Sequence, residues 1–160
     1  MDKSNLNRRM KSGAGSFYWI AGISIIHTGI FIFFGPVVVF VVGLGITYVL
    51  DIVALDFAHL MPNSALLIRG AGVFLDLIVT GTFVAFGYFA TRRQRWAFIA
   101  GMILYGLDTL LVILDKNYFG LAFHLFFLCF LFDGLMSLNQ LRNNESPGKP
   151  ELFPPKDIHF

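Results

Sequence analysis

The sequence predicts an all-α integral membrane fold: four transmembrane helices in a bundle, with a re-entrant or interfacial helix between the first and second. Three observations predict it. Of 160 residues, 56% are hydrophobic and 19 are phenylalanine, giving a mean hydropathy of +0.71; a soluble domain this small has to cover its surface with polar groups. Four apolar runs are each long enough to cross a hydrocarbon core of about 30 Å, which needs roughly 20 helical residues. The basic residues are also distributed unevenly among the connecting segments, as the positive-inside bias requires.

The chain starts with a basic segment over 1–16, "MDKSNLNRRMK" and following. It leads into the first span without an A-x-A-like cleavage site, so the first helix is expected to be an uncleaved anchor. The spans are expected at about 17–34, 66–90, 96–114 and 118–141. Helices are the default, because an isolated strand cannot satisfy its backbone groups in lipid. Between the first and second spans lies "VVVFVVGLGITYVL", apolar enough for a fifth span and preceded by Gly35-Pro36, a helix breaker.

Charge decides how that segment is read. With four spans, Lys3, Arg8, Arg9, Lys11, Arg92, Arg93, Arg95, Arg142, Lys149 and Lys156 share one side, which leaves Arg69 and Lys116 on the other. A fifth span would put "TRRQR" opposite the basic N-terminus. The segment over about 37–56 is therefore expected to dip into, or lie along, the outer face, with both chain ends cytoplasmic. Arg92, Arg93 and Arg95 are read as topology determinants that face anionic lipid. Trp19 and Trp96 fall where spans meet the cytoplasmic interface, as belt residues do. The polar, proline-rich segment 142–160 cannot bury a core and is expected to be a flexible or partner-bound tail. Its Asn144-Glu145-Ser146 sequon is discounted, because Pro147 follows and the tail is cytoplasmic.

Residues seven apart on a helix lie nearly in line. This aligns Arg69, Gly72, Asp76 and Thr80 on the second span, next to a Gly81/Ala85 small-residue step. On the third, Ala97 and Gly101 make a similar step, and Gly101, Asp108 and Asp115 share a stripe. His124 and Asp133, nine apart on the fourth span, point to opposite sides, and Asp133 is expected to reach the inner interface or His27. Ser24, His27 and Thr28 form a polar arc on the first span. At about 1.5 Å rise per residue, Asp76 and His27 fall near the midplane and Asp108 and His124 in the outer third. Asp51, Arg69, Asp76, Asp108 and His124 are thus candidates for one polar cluster in the outer half.

A charge at mid-bilayer costs about 3 kcal/mol on insertion scales, so it has to be paired, protonated or watered. Two readings of the cluster follow. In the first, Arg69 pairs with Asp108 or Asp51 while His124 bonds the remaining carboxylate, which clamps the helices. In the second, Asp76, Asp108 and His124 form a proton relay or cation site. His27 and His124 are further candidates as axial ligands of haem or chlorophyll, weighed against neutral imidazoles bonded to neighbouring helices. No cofactor is required by the sequence, and no metal site is expected, since His59, His124 and the aspartates lack a local ligand spacing. A single cysteine, Cys129, excludes a disulfide within one chain. No G-x-S-x-G, P-loop, dinucleotide fingerprint or C-x-x-C appears, and the expectation is of no catalytic residues.

"GLGIT" with Asp51 shortly after it, "RQRWAFIAGMILYGLD" and "AFHLFF" resemble a group of small four-span bacterial membrane proteins of unknown function. The resemblance covers most of residues 17–141. It implies the four-span architecture and a bacterial inner (cytoplasmic) membrane, and it transfers no catalytic residues. The function expected is that of an accessory or scaffolding subunit, whose partners are the lipid bilayer and other membrane protein subunits and not nucleic acid. The alternatives are a proton- or cation-coupled carrier or channel and, third, a cofactor-binding subunit.

Overall fold

The computed structural model describes residues 2–34 and 43–145, and these are helical nearly throughout. The order is α1 (Lys3–Phe34), α2 (Gly45–Leu60), a 3-10 turn (Pro62–Ser64), α3 (Ala65–Thr91), α4 (Arg95–Leu114) and α5 (Tyr118–Glu145). α1, α3, α4 and α5, with the 3-10 turn continuing α3, are long and apolar enough to cross a membrane. They pack in a closed ring in which α1 touches α3 and α5, and α4 completes the circuit between those two. The 16-residue α2 packs against α1, α3 and α4. This is the architecture of a multi-pass helical membrane protein.

The spans begin and end close to where hydropathy places them, with one large exception. α1 starts at Lys3 rather than near Phe17, so the basic N-terminal segment is helix and not a separate region. Its start is marked by Asp2, whose carbonyl accepts from Leu6 N–H at 3.2 Å and whose carboxylate accepts from Ser4 Oγ. Between the basic residues Leu6, Met10, Gly13 and Ala14 recur at helical spacing and are buried in the core. Charge alone hid that apolar stripe. α5 likewise continues past Leu141 to Glu145, taking in the first residues of the expected tail; the rest of the tail lies outside the described residues.

α1 and α5 meet where both lack a side chain. A Cβ on Gly13 would stand 2.6 Å from Gly134 Cα, and one on Gly134 would stand 2.9 Å from Gly13 Cα. Gly101 gives similar room to the Phe17 ring, as the Ala97/Gly101 step predicts. The Gly81/Ala85 step is different: both residues are exposed, and a Cβ on Gly81 would meet nothing within 4 Å. Phe83 and Phe86, next to them, carry α3's contact into the core instead. Small size permits close approach but does not compel it.

The N-terminus of α1, the α3–α4 turn and the C-terminus of α5 meet at one end of the ring, the basic end. There Glu145 gathers Lys3 Nζ at 3.2 Å and Arg93 Nη1 at 3.0 Å. Arg142 donates to the Arg93 carbonyl at 3.1 Å. Arg93 has a positive φ of 62° at the close of α3, a site where glycine usually sits. Arg92 lies over the Tyr88 ring at 4.5 Å, and Arg95 is exposed. Arg9 pairs with Asp133 in a two-pronged contact. Asp133 is therefore an anchor at the basic end with no part in a contact with His27, whose ring instead lies 5.9 Å from Tyr48.

Gly134→Ala is expected to cost about 1–3 kcal/mol, because the added methyl meets backbone that cannot yield. Gly22→Ala, where an added Cβ meets nothing within 4 Å, should be neutral or stabilising by up to about 1 kcal/mol through helix propensity. Unfolding in detergent micelles compares the two. Hydrogen bonds from Lys3 and Arg93 hold the Glu145 carboxyl below the usual glutamate range. A depressed value means that the clasp's contribution is present above the ordinary glutamate value and is lost as pH falls through the lowered one. A carboxyl-carbon NMR titration should place the Glu145 midpoint below that of glutamate in a short peptide.

Candidate functional site

The five residues expected in one polar cluster are divided between two sites, and α2 is the reason. Its first residue, Gly45, lies beside Asp108 of α4 and its neighbour Leu44 beside Ser24 of α1, well inside the ring. From there α2 runs antiparallel to α3, with Asp51 next to Asp76 and Ala54 against Gly72, and reaches the start of α3 at the end of the ring away from the basic end. The observed helix is shifted from the expected 37–56: residues 37–42 lie outside the described residues, and Asp56 and His59 belong to α2 rather than to a connection. Both are exposed.

An α-helix begins with N–H groups that have no partner in the helix. At a solvated end water satisfies them, but the first turn of α2 is buried and its N-cap residue, Leu44, has no side-chain acceptor. The acceptors come from other helices. Asp108 Oδ2 accepts from Gly45 N–H and Asp108 Oδ1 from Ile46 N–H, both at 2.8 Å. Ser24 Oγ accepts from Leu44 N–H at 2.8 Å and donates to the Ile20 carbonyl at 2.9 Å. The carboxylate also stands at the positive end of the helix dipole, where negative charge is favoured.

His124 completes this first site. Its Nδ1 lies 2.8 Å from the Gly120 carbonyl, which only accepts, so Nδ1 carries a hydrogen. Its Nε2 lies 3.0 Å from Asp108 Oδ2. One proton therefore sits between Nε2 and Oδ2, and the pair is neutral overall whichever atom holds it. The ring is fully buried and stacked on Tyr105, with centroids 4.6 Å apart and planes 11° apart. Both ring nitrogens are thus engaged by protein groups. The side chain that meets Asp108 is His124 and not Arg69.

The second site is less complete. Asp51 and Asp76, 4% and 2% exposed, lie in hydrogen-bonding range of each other. Thr28 Oγ1 of α1 donates to Asp76 Oδ2 at 3.2 Å. Asp51 Oδ2 and Asp76 Oδ1 are buried and have no donor. Two carboxyl oxygens can bond to each other only through a proton, so the pair needs either a shared proton or an added cation. Asp51 lines a cleft of about 540 Å³ between α1, α2 and α3, with Phe31, Ile32, Leu55, Leu66, Val73 and Arg69 among its walls.

Arg69 is exposed and, among the described residues, forms no hydrogen bond or ion pair. The expected pairing with Asp51 or Asp108 is not made. Seven residues put Arg69 in line with Asp76 but about 10 Å further along the axis, so they share a face and not a depth. A second cleft of about 420 Å³ reaches Asp108 between α3 and α4 through Val79, Thr82, Phe83, Leu104 and Leu107. Among the described residues no three His, Cys, Asp or Glu side chains converge as a metal site would require.

The Ser24 and Thr28 contacts are legible only in hindsight: at i, i+4 the two share one face of α1, the only signal the sequence carried of the partners that they find. The Arg9–Asp133 pair, 124 residues apart, had no local signal. Compared with protein-family models, with curated proteins and with solved structures, the chain matches none.

Asp108→Ala leaves two buried backbone N–H groups and a ring nitrogen without an acceptor, and a loss of about 3 kcal/mol or more is expected. Amide exchange at Gly45 and Ile46 should accelerate together, whereas Asp108→Asn, which keeps one acceptor oxygen, should protect them in part. Hydrogen exchange with fragment mass spectrometry reads both.

Proposed function

We propose that the protein is a small polytopic accessory or scaffolding subunit of a larger membrane assembly, without catalytic activity. It is placed in a bacterial inner membrane with both termini cytoplasmic, and α2 is a re-entrant helix that enters and leaves from the opposite face. The observation that carries this reading is how the polar residues are used. Asp108 and Ser24 hold the start of α2 to α4 and α1, His124 ties α5 to Asp108, and Thr28 ties α1 to Asp76 of α3, beside Asp51. Between them and the basic end, the interior is filled by Phe17, Phe83, Phe86, Phe98 and Tyr105, all buried, with neighbouring rings about 6 Å apart. A polar path across the ring has no place in such a layer.

The surface left for partners supports the same reading. Gly15, Gly22 and Gly29 repeat every seven residues on α1, and a Cβ on any of them would meet nothing within 4 Å. Gly15 also lines a groove with Trp19, Phe126 and Phe130, where another transmembrane helix can approach closely. A proton- or cation-coupled carrier is the second reading, favoured by the donorless oxygens of Asp51 and Asp76; its site is this pair and not Asp108 and His124.

Purification in mild detergent followed by native mass spectrometry is expected to retain at least one further membrane subunit, lost when Gly22 is changed to Leu. A homogeneous monomer or homodimer from the native membrane would overturn the accessory role. Liposomes containing the protein and a pH-sensitive dye should show the proton leak of empty liposomes; flux that disappears in Asp51→Asn would establish the carrier instead.

A further inference from the structure

The cleft between α1, α2 and α3 is lined by a guanidinium and a carboxyl that form no ion pair with each other. Arg69 lines it without an ion-pair partner among the described residues, and Asp51 lines it with one oxygen, Oδ2, that has no donor. In a low-dielectric setting such groups attract strongly. Since the fold keeps them further apart than a salt bridge, which requires 4.0 Å or less, the gap between them is a place for a ligand that carries both charges in the opposite sense.

Three features define its chemistry. Asp51, which lines the cleft, has one buried oxygen, Oδ2, with no donor, which favours an ammonium with N–H groups over a quaternary one, since only the former can donate hydrogen bonds. The Arg69 guanidinium presents a fork of donors that suits a phosphate. The remaining walls, Phe31, Ile32, Leu55, Leu66 and Val73, are apolar and line a cleft of about 540 Å³. A simple metal cation or amine would face repulsion from Arg69, and an anionic lipid would face the carboxyls. A molecule with a primary amine, a phosphate a short link away and hydrocarbon chains meets all three.

We infer that this cleft binds a phospholipid with a phosphoethanolamine headgroup, its ammonium on Asp51, its phosphate on Arg69 and its chains along the apolar walls. The inference goes beyond the accessory role and stands or falls separately from it, because a carrier or a lone chain would bind the lipid equally well.

The test is native mass spectrometry of the full-length protein in detergent, with phosphatidylethanolamine, phosphatidylglycerol or phosphatidylcholine of identical chains added in turn. The ethanolamine lipid is expected to be retained over the other two by roughly tenfold, the factor that one charge-assisted hydrogen bond carries. Asp51→Asn should reduce its retention to that of the choline lipid. Arg69→Gln, at an exposed position whose change leaves the core intact, should weaken all three lipids through the phosphate. Equal retention of the three lipids overturns the proposal, as does a preference that survives both substitutions. Retention of the glycerol lipid alone, insensitive to Asp51→Asn, overturns it in favour of a bare phosphate site. Soluble phosphoethanolamine that competes at the concentration of the lipid also overturns it, since the chains would then contribute nothing.

Discussion

Everything in the interior is arranged around a helix that starts where no water reaches it. The first turn of α2 brings buried N–H groups into the ring, and Asp108 accepts two of them with its two oxygens. An orphaned amide in an apolar setting costs several kcal/mol, so without this carboxylate α2 would not begin at Gly45. The carboxylate in turn cannot stay in that setting as an isolated charge. His124 removes the difficulty by sharing a proton with it, and Tyr105 covers the imidazole. Three helices, α2, α4 and α5, are thereby locked in register by a neutral unit of two side chains.

The rest of the ring supplies a frame stiff enough for that geometry. Contact between the Gly13 and Gly134 backbones draws α1 against α5. The Phe17, Phe83, Phe86 and Phe98 rings then fill the space that the small residues leave open. Interiors packed in this way resist small displacements, and hydrogen bonds as short as those on Asp108 need that resistance. At the basic end the charges are used differently. Lys3, Arg9, Arg93 and Arg142 each find a carboxylate or carbonyl partner, so these basic residues hold the ends of α1, α3 and α5 together.

Against this background Asp51, Asp76 and Arg69 stand out as a local inconsistency. The fold satisfies Asp108 completely, while one oxygen each of Asp51 and Asp76 lacks a donor and the Arg69 guanidinium has no partner among the described residues. Natural sequences depart from local consistency mainly where function requires it. The contrast between the two sites, one saturated and one open, is what directs the proposed lipid to the open one.

The sequence by itself determined the number of apolar helices, their limits to within a few residues apart from the start of α1, the side on which most basic residues lie, and the packing faces that carry Gly72, Asp76, Thr80, Ala97, Gly101 and Asp108. These depend on helical period and run length, which are local properties. The expectation that α2 is not a full span came from charge, and α2 is a helix of 16 residues. Only the tertiary structure decided which acid meets which base. Arg69 and Asp76 have the same azimuth on α3 but not the same depth, and the partner of Asp108 comes from α5, sixteen residues on and on a different helix. Periodicity assigns a residue to a face; it says nothing of what a second helix places opposite that face. The most consequential acceptor role, a carboxylate capping another helix, leaves no trace in sequence at all, because the groups that need it are backbone amides and every residue but proline has one.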